Sequence, residues 1–334
     1  MAATMQDIAR DLKISAVTVS KVLRNQGRIS AATRKRVLRR AKQLNYQMNW
    51  VARSLVTRRT YSIGLLLPEF THPFFAEIAR AVAQTVRPHG YHVITSYFEE
   101  DPELEESECE SLLARQVDGL IVASAQGPHR SRLFEKVRRR KVPYVLIDRP
   151  IPGLQAPFVG VNNRAVGRLA TEHLIAQKCR RIAHLRGPEM GIARERLQGY
   201  RQALANHGLT ARREYILAAG HEDQTGYAAM LRLLRLRPMP DGVFCYNDPV
   251  AIGAMKAIVE QGLSVPHDVA VVGAGNVHYC DALAVPLTTV DQGTCQMGSQ
   301  AAELLIALIA SKGRHRPPKI LIPLRLVVRE STER

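Results

Sequence analysis

D-I-A-R-D-L-K-I-S-A-V-T-V-S-K-V-L, from Asp7 to Leu23, decides how this chain begins to fold. Ile8, Ala9 and Leu12 recur at helical spacing, which predicts a short helix over Thr4 to Leu12. Thr4 stands at its cap, and Asp7 puts a carboxylate near the positive end of the helix dipole. Lys13-Ile14 makes a turn, and Ser15 caps a second helix running from Ala16 to Arg24. Val19, Val22 and Leu23 form the inward stripe of that helix, leaving Ala16, Val17, Thr18, Ser20 and Lys21 on its other side. A third helix is predicted from the Ser30 cap through Leu44, with Val37, Leu38, Ala41 and Leu44 closing a small core. Arg34, Lys35, Arg36, Arg39, Arg40 and Lys42 decorate its outside. Two short helices joined by a turn, with a third behind them, make a helix-turn-helix arrangement.

Charge separates this segment from the rest. Fourteen of the first sixty residues are Lys or Arg and two are acidic, a net +12 of the chain's +17. The remaining 274 residues carry 33 basic and 28 acidic side chains. A small, strongly basic unit on a nearly balanced body is the electrostatic footprint of a nucleic-acid-binding head. At 334 residues the chain predicts two or three domains, and 46% apolar content is ample for their cores. It contains no apolar run of 18 residues, and its first residues lack a basic segment followed by an apolar one. A cytoplasmic protein without a membrane span is therefore expected. Cys109, Cys179, Cys245, Cys280 and Cys295 are odd in number and lack a C-x-x-C pair. They read as buried thiols in a reducing compartment, with no metal.

The residues of the head strongly resemble the DNA-binding domain of the lactose-repressor family (LacI/GalR). The match begins at Asp7 to Leu23 and continues through Arg28-Ile29-Ser30, Thr33-Arg34, Val37, Leu44-Asn45-Tyr46 and Asn49 to Leu55. The resemblance implies that Ala16 and Val17 read base edges in the major groove, where small apolar groups suit thymine methyls. Lys21, one turn on, is expected to donate to a guanine. Ser15, Thr18, Ser20, Asn25 and Arg28 are expected on the DNA backbone, fixing register rather than sequence. One position departs from the pattern: the family's turn carries Ala-Gly, and here it is Leu12-Lys13. Gly tolerates positive φ there, so Lys13 must strain or reshape the turn.

Asn49 to Val56 reads as a short helix, and Thr57-Arg58-Arg59-Thr60 as a polar linker. The resemblance makes this a hinge helix that orders on operator DNA and enters the minor groove beside its dimer mate. Leu55 then wedges open the central base step, Ala52 permits close helix approach and Arg53 lies near phosphate. An apolar wedge of this kind costs a few kcal/mol of unstacking.

After Tyr61 the pattern changes to strands alternating with helices. Tyr61 to Pro68 is a continuous apolar run, as for a strand buried on both faces. Further strands are predicted at Tyr91–Ser96, Gly119–Ala123 and Tyr144–Ile147, with helices at Phe74–Arg87, Pro102–Arg115 and Ser131–Arg140. The rhythm restarts after Val161. Helices are expected at Ala165–Gln177, Leu197–His207, Gly226–Leu234 and Val250–Gln261, with strands at Ile182–Leu185, Tyr215–Ala218, Gly242–Tyr246 and Val269–Val272. The fold class expected is an all-α helix-turn-helix head plus a periplasmic-binding-protein-like α/β sensor of two doubly wound parallel-sheet lobes. The domains are a head at 1–48, a hinge and linker at 49–60 and a body at 61–334. Its N-lobe takes about 61–161 and 292–320, and its C-lobe about 162–291 and 321–334. Further family motifs include Asp148-Arg149, Arg196 to Tyr200, Tyr246-Asn247-Asp248, Pro286 to Val290 and Arg329 to Thr332, so the resemblance covers essentially the whole chain.

A sensor of this kind binds its ligand between the lobes, at the carboxyl ends of the strands. Phe74 and Phe75 are expected as an apolar wall, with Asp148, Arg149, Asn163, Arg196, Asn247 and Asp248 as polar groups. Arg196 matches the family's effector-gripping Arg. Two positions depart: Asn162-Asn163 stands for Asp-Asn, and Gly273-Ala274-Gly275 for Gly-Phe-Asp. The effector is read as a sugar or sugar acid, and two missing acids beside Arg149 and Arg196 point to a sugar acid or other small anionic carbohydrate derivative. No nucleophile elbow, phosphate-binding loop, metal-spaced His cluster or dinucleotide fingerprint is present, so neither enzyme nor cofactor is expected. A transport binding protein would not carry the basic head. The expectation is a repressor, binding a pseudo-palindromic operator as a dimer and controlled by a small effector. The chain stops at Arg334 without the leucine-rich helix by which the lactose repressor tetramerises, so a dimer is expected and not a tetramer.

Overall fold

The computed structural model describes residues 3–23, 27–46, 59–127, 132–311 and 318–334. They form two separate units, Met1–Thr60 and Tyr61–Arg334.

In the first unit, α1 is Met5–Leu12, α2 is Ala16–Leu23 and α3 is Ala31–Gln43. Thr4 and Asp7 close a reciprocal capping box, with Thr4 N donating to Asp7 Oδ2 at 2.9 Å. Ser15 accepts from Thr18 N at 3.1 Å and Ser30 from Thr33 N at 3.2 Å, so both expected caps form. Ile8, Ala9, Val19, Val22, Val37 and Ala41 make the core. Leu38, expected inside, is 49% exposed instead, because the inner face of α3 is already filled by Val37 and Ala41. Arg40 pairs with Asp11 through Nε at 2.7 Å, and Arg36 donates to the Leu12 carbonyl at 3.3 Å. Two cations of α3 are therefore committed to bracing α1 and the turn.

The turn itself is strained. Lys13 closes α1 in the left-handed region, at φ 52° and ψ 45°, where an L side chain costs about 1 kcal/mol. Lys13→Gly should recover about that amount. Amide exchange at Val19, Val22 and Val37 is then expected to slow about fivefold in the full-length protein. Unchanged or faster exchange would mean that the lysine side chain contributes more than its backbone loses.

The second unit holds two six-stranded sheets. The N-lobe elements are β1 (Ser62–Leu67), α4 (Pro73–Val86), β2 (His92–Tyr97), α5 (Pro102–Ala114), β3 (Gly119–Val122), α6 (Arg132–Arg139), β4 (Tyr144–Ile147) and β5 (Phe158–Gly160). The C-lobe elements are α7 (Asn163–Ala176), β6 (Ile182–Arg186), α8 (Gly191–Asn206), β7 (Ile216–Ala218), α9 (Asp223–Leu234), β8 (Gly242–Cys245), α10 (Asp248–Glu260), β9 (Ala270–Gly275) and β10 (Thr288–Asp291). The chain then returns with α11 (Thr294–Ser311), which packs on α4, and ends in β11 (Lys319–Leu321) and β12 (Arg325–Val327). Strand order is β11-β5-β4-β3-β1-β2 in one sheet and β12-β10-β9-β8-β6-β7 in the other. Every pairing is parallel except β10 with β12.

Both faces of the central strands are covered, so β1, β3, β4, β8 and β9 are almost wholly apolar and buried. Ile63, Leu65 and Leu67 alternate with Leu66, sending side chains to separate clusters on opposite faces of the N-lobe sheet. The chain passes between lobes after β5, after β10 and between β11 and β12, which makes a three-strand hinge. In the C-lobe, α7 and α8 cross at Gly167 and Gly199. A Cβ on Gly167 would stand 2.0 Å from the Arg196 carbonyl oxygen. Glycine here lets the backbone that carries Arg196 come close to α7.

His184 lies wholly buried on β6, stacked 4.6 Å from the Phe244 ring, with Nδ1 2.9 Å from the Phe244 carbonyl. Burial pushes its pKa down from 6.5 to about 4. As pH falls through that interval the unfolded chain takes up a proton that the folded chain refuses, so neutral His184 contributes fully above pH 6.5. About 3 kcal/mol of that contribution is lost by pH 4. Urea midpoints of wild type and His184→Phe should therefore diverge below pH 6, with wild type falling further. Parallel curves would show that His184 does not resist protonation.

Candidate DNA-reading helix and interlobe cleft

On α2 the predicted reading residues face outward. Val17 is 61% exposed, and Ala16 and Lys21 are exposed beside it, one turn apart. Thr18 and Ser20 are half-buried and Arg28 is exposed. The Ser15 and Thr18 hydroxyls lie 2.9 Å apart. Only one proton is used between them, which leaves the other for an acceptor outside the head. Asn25, and the predicted hinge residues Ala52, Arg53 and Leu55, lie outside the described residues.

In the body, the carboxyl ends of both sheets meet around a cleft. Glu69 and His72 follow β1, Glu100 follows β2, and Asp148 and Arg149 follow β4. From the other lobe, Met190 and Ile192 follow β6, His221 follows β7, and Tyr246 and Asn247 follow β8. Phe74 and Phe75 wall one side, their rings edge-to-face at 5.3 Å. The space between these groups is about 40 Å³, room for only a few waters. A second space of about 410 Å³ adjoins it under the Ser124–Gly127 loop, sharing Arg149, Met190 and Ile192.

Arg196 projects from α8 and is 3% exposed. It donates to Asn163 Oδ1 at 3.0 Å, to the Tyr246 carbonyl at 2.5 Å and to Gln292 Oε1 at 2.8 Å. Asn163 and Gln292 both stand where the chain crosses between lobes, so this one guanidinium ties the C-lobe to two strands of the hinge. Three of its five N–H groups are used, and two remain for a ligand. Asn247 caps α10 by accepting from Val250 N at 3.0 Å. Its amide donates to the His221 carbonyl at 2.8 Å, and the amide nitrogen lies 3.1 Å from His72 Nε2 of the other lobe. Burial and the neighbouring His221, Arg149 and Arg196 push the His72 pKa down to about 4, so the ring is neutral, and its Nδ1 accepts from Phe74 N at 3.3 Å.

Arg149 is held differently from expectation. Glu100 grips it through both carboxylate oxygens at 2.5 and 2.6 Å, and Asp148 Oδ2 lies 3.5 Å from its Nε. Burial opposes its charge, yet Glu100 and Asp148 raise its pKa. Burial likewise raises the carboxyls of Asp148 and Glu69. Asp148 also holds φ at 59°, with Arg149 N bonded to the Ile147 carbonyl at 2.5 Å, a strained turn of the kind that clusters at ligand sites. The surplus of Arg that predicted an anionic ligand is absent: Glu69, Glu100 and Asp148 face Arg149 and Arg196.

Asp248 also departs from expectation. It does not line the cleft but is wholly buried behind it, accepting from Thr289 Oγ1 at 2.5 Å and Val277 N at 3.0 Å. Its carboxylate occupies the space that side chains at two glycines would need. A Cβ would come within 2.3 Å of it at Gly273 and 2.7 Å at Gly275. The missing Asp at 275 is thus matched by a carboxylate arriving from α10.

Similarity to known proteins agrees with both units. The pattern described as bacterial regulatory proteins of the lacI family matches residues 4–49, and the periplasmic binding protein-like domain matches residues 171–332. The chain is 35% identical over 332 residues to the ribose operon repressor of Halalkalibacterium halodurans, covering 99% of this chain and 97% of that protein. It is 32% identical over 333 residues to the transcriptional repressor CytR of Escherichia coli K12, covering 99% and 96%. Among solved structures, the lac repressor dimer bound to operator and the anti-inducer ONPF superposes with a TM-score of 0.87 at 27% identity, covering 99% of each chain. With a basic three-helix head, a hinged two-lobe body and this likeness over nearly its full length, the chain belongs to the lacI family of bacterial transcriptional regulators.

Proposed function

We propose that this repressor binds a pseudo-palindromic operator as a homodimer in the cytoplasm, and that a small neutral polyhydroxylated molecule in the interlobe cleft sets its DNA affinity. The observation that carries the DNA reading is the outward row on α2, where Val17 is 61% exposed on a separately folded basic unit. Ala16 and Val17 suit thymine methyls, and Lys21 a guanine. Ser15, Thr18, Ser20, Asn25 and Arg28 hold phosphates. Residues 49–60 form the hinge, with Ala52, Arg53 and Leu55 in the minor groove. The reading assigns no reaction to the protein.

For the effector, the acceptors Glu69, Glu100 and Asp148 favour hydroxyl donors over a carboxylate, which they would repel. Arg196 supplies two free N–H groups, and Phe74, Phe75 and Tyr246 supply the flat apolar walls that sugar rings and nucleosides pack against. Two relatives are named for sugars, a ribose operon repressor and a regulator in complex with cellobiose. The space of about 40 Å³ beside the His72–Asn247 contact is too small for a sugar ring and the adjoining space of about 410 Å³ is not, so a ligand filling both would part the lobes and break that contact. Ligand and operator affinities are thereby coupled. Thermal-shift measurements with neutral pentoses, hexoses and nucleosides, against aldonic and uronic acids, test this. Stabilisation by the neutral set is expected; stabilisation by the acids alone would restore the sugar-acid reading.

The dimer forms through the body, where Phe70 and Tyr97 are 47% and 46% exposed and their rings lie 4.9 Å apart beside the edge strand β2. Light scattering at micromolar concentration should give twice the chain mass. A monomer, or a stable tetramer, would contradict the assignment.

A further inference from the structure

The N-lobe sheet is electrically polarised along its strands. In a parallel β/α lobe each helix runs back against its strands, so helix C-termini and the loops after them collect at the amino ends. The carboxyl ends carry Glu69, Glu99, Glu100 and Asp101. The amino ends carry the opposite sign. After α4 the chain exposes Arg87 and His89, and after α5 it exposes Arg115. At the end of α6 come four consecutive exposed cations, Arg138, Arg139, Arg140 and Lys141, and exposed Lys319 opens β11 at the same end. Cations near a helix C-terminus complement the dipole, which accounts for one or two per helix but not for a run of four. Among the described residues, the one ion pair made by this run is Arg139 with Glu135 at 4.0 Å. Asp118, an acid on this rim, accepts from Tyr61 N at 3.0 Å, and Glu110 and Glu135 lie about one turn back along α5 and α6. The corresponding rim of the C-lobe is mixed. There Asp241 takes Arg181 in an ion pair at 3.4 Å, and Glu214 and Asp268 stand among the other cations.

Tyr61, the first residue of the body, lies at this basic rim, so the chain coming from the head enters the body there. A duplex held by the head is presented at high effective concentration to whatever surrounds the tether. We infer that the rim of Arg138, Arg139, Arg140 and Lys141, supported by Arg87, Arg115 and Lys319, is a second DNA contact that neutralises phosphates of the duplex flanking the operator. The contact is independent of sequence, because it offers flexible exposed cations and no fixed donor pattern to base edges. It rests on the operator-binding reading above and extends it.

The test uses the full-length protein with Arg138→Gln, Arg139→Gln, Arg140→Gln and Lys141→Gln combined. Binding is followed by fluorescence anisotropy on a duplex of about 20 base pairs holding the operator alone, and on one of about 50 base pairs with the operator at its centre. Between about 50 and 200 mM salt, the variant should lose about tenfold in affinity on the long duplex, and its salt slope there should fall by about 2 to 4. Affinity for the short duplex should change less than twofold. A control removing four exposed C-lobe cations, Arg212, Arg213, Arg232 and Arg235, each to Gln, should behave as wild type on both duplexes. Equal losses on the two duplexes, or an equal loss in the control, would reduce the effect to general charge and overturn the proposal. No loss on either duplex would overturn it too, leaving the rim to an acidic protein surface. Failure of the wild type to bind the short operator would instead sink the operator-binding reading itself.

Discussion

Replacing Arg196 with Ala is expected to abolish the effector response while leaving operator affinity within about twofold of wild type. Its two uncommitted N–H groups are the charged donors that a hydroxylated ligand would meet in the cleft, and charge-assisted bonds contribute about 1.5–3 kcal/mol each. Loss of both weakens the ligand by at least about a hundredfold. The substitution also strips donors from Asn163, the Tyr246 carbonyl and Gln292, so the body's melting temperature should fall. Arg196→Lys separates the two effects. It keeps the charge but not the planar fork, and should regain stability while the ligand response stays at least about tenfold weaker. Titrations of ligand into each variant, monitored by operator anisotropy, decide the matter. If Arg196→Ala loses operator binding along with ligand response, Arg196 is a structural hinge pin and not a ligand group.

Leu55→Ala should weaken specific operator binding by about tenfold or more, yet change binding to random duplex by less than about twofold. Prying open a base step costs a few kcal/mol and succeeds only where the central step is flexible, so the wedge contributes to specific binding alone. The cations of the head remain, along with the salt dependence they confer. Equal losses on both kinds of duplex would make Leu55 part of a packed hinge.

The head was legible in the sequence because its signals are local. Capping residues, a three-to-four residue apolar period and a charge run all lie within one contiguous stretch. Leu38 misled because periodicity alone does not show which of two adjacent apolar residues a narrow three-helix core admits. In the body, the long buried strands and their helices stood out, whereas β5, β10, β11 and β12 are only three or four residues long and carry no periodic signal. Helix α8 begins at Gly191, six residues before the expected Leu197, since its first turn is uncapped by any side chain. Arg196, Asn163 and Asn247 were readable in the sequence as cleft groups because each sits in a family motif. Glu69, Glu100, His72, His221 and Gln292 were not, because each is a lone residue after a strand end, placed beside its partners only by the sheet order. Glu100, which adds an acid to the charge around the ligand space, reaches Arg149 from 49 residues away. Asp248 failed for a related reason. Nothing in Asn247-Asp248 tells which of the two faces the cleft, and the glycines at 273 and 275 make sense only once the carboxylate is seen between them.

The central claim is that the chain reads a two-fold symmetric DNA site through α2 and its dimer mate. Selection of duplexes from a random pool by the full-length protein, followed by sequencing of the bound fraction, tests it most directly. The expected result is one enriched motif: two inverted half-sites about a central pyrimidine–purine step, lost when Val17 and Lys21 are both replaced by Ala. Enrichment of no motif, or of an asymmetric site indifferent to Val17 and Lys21, would contradict the account.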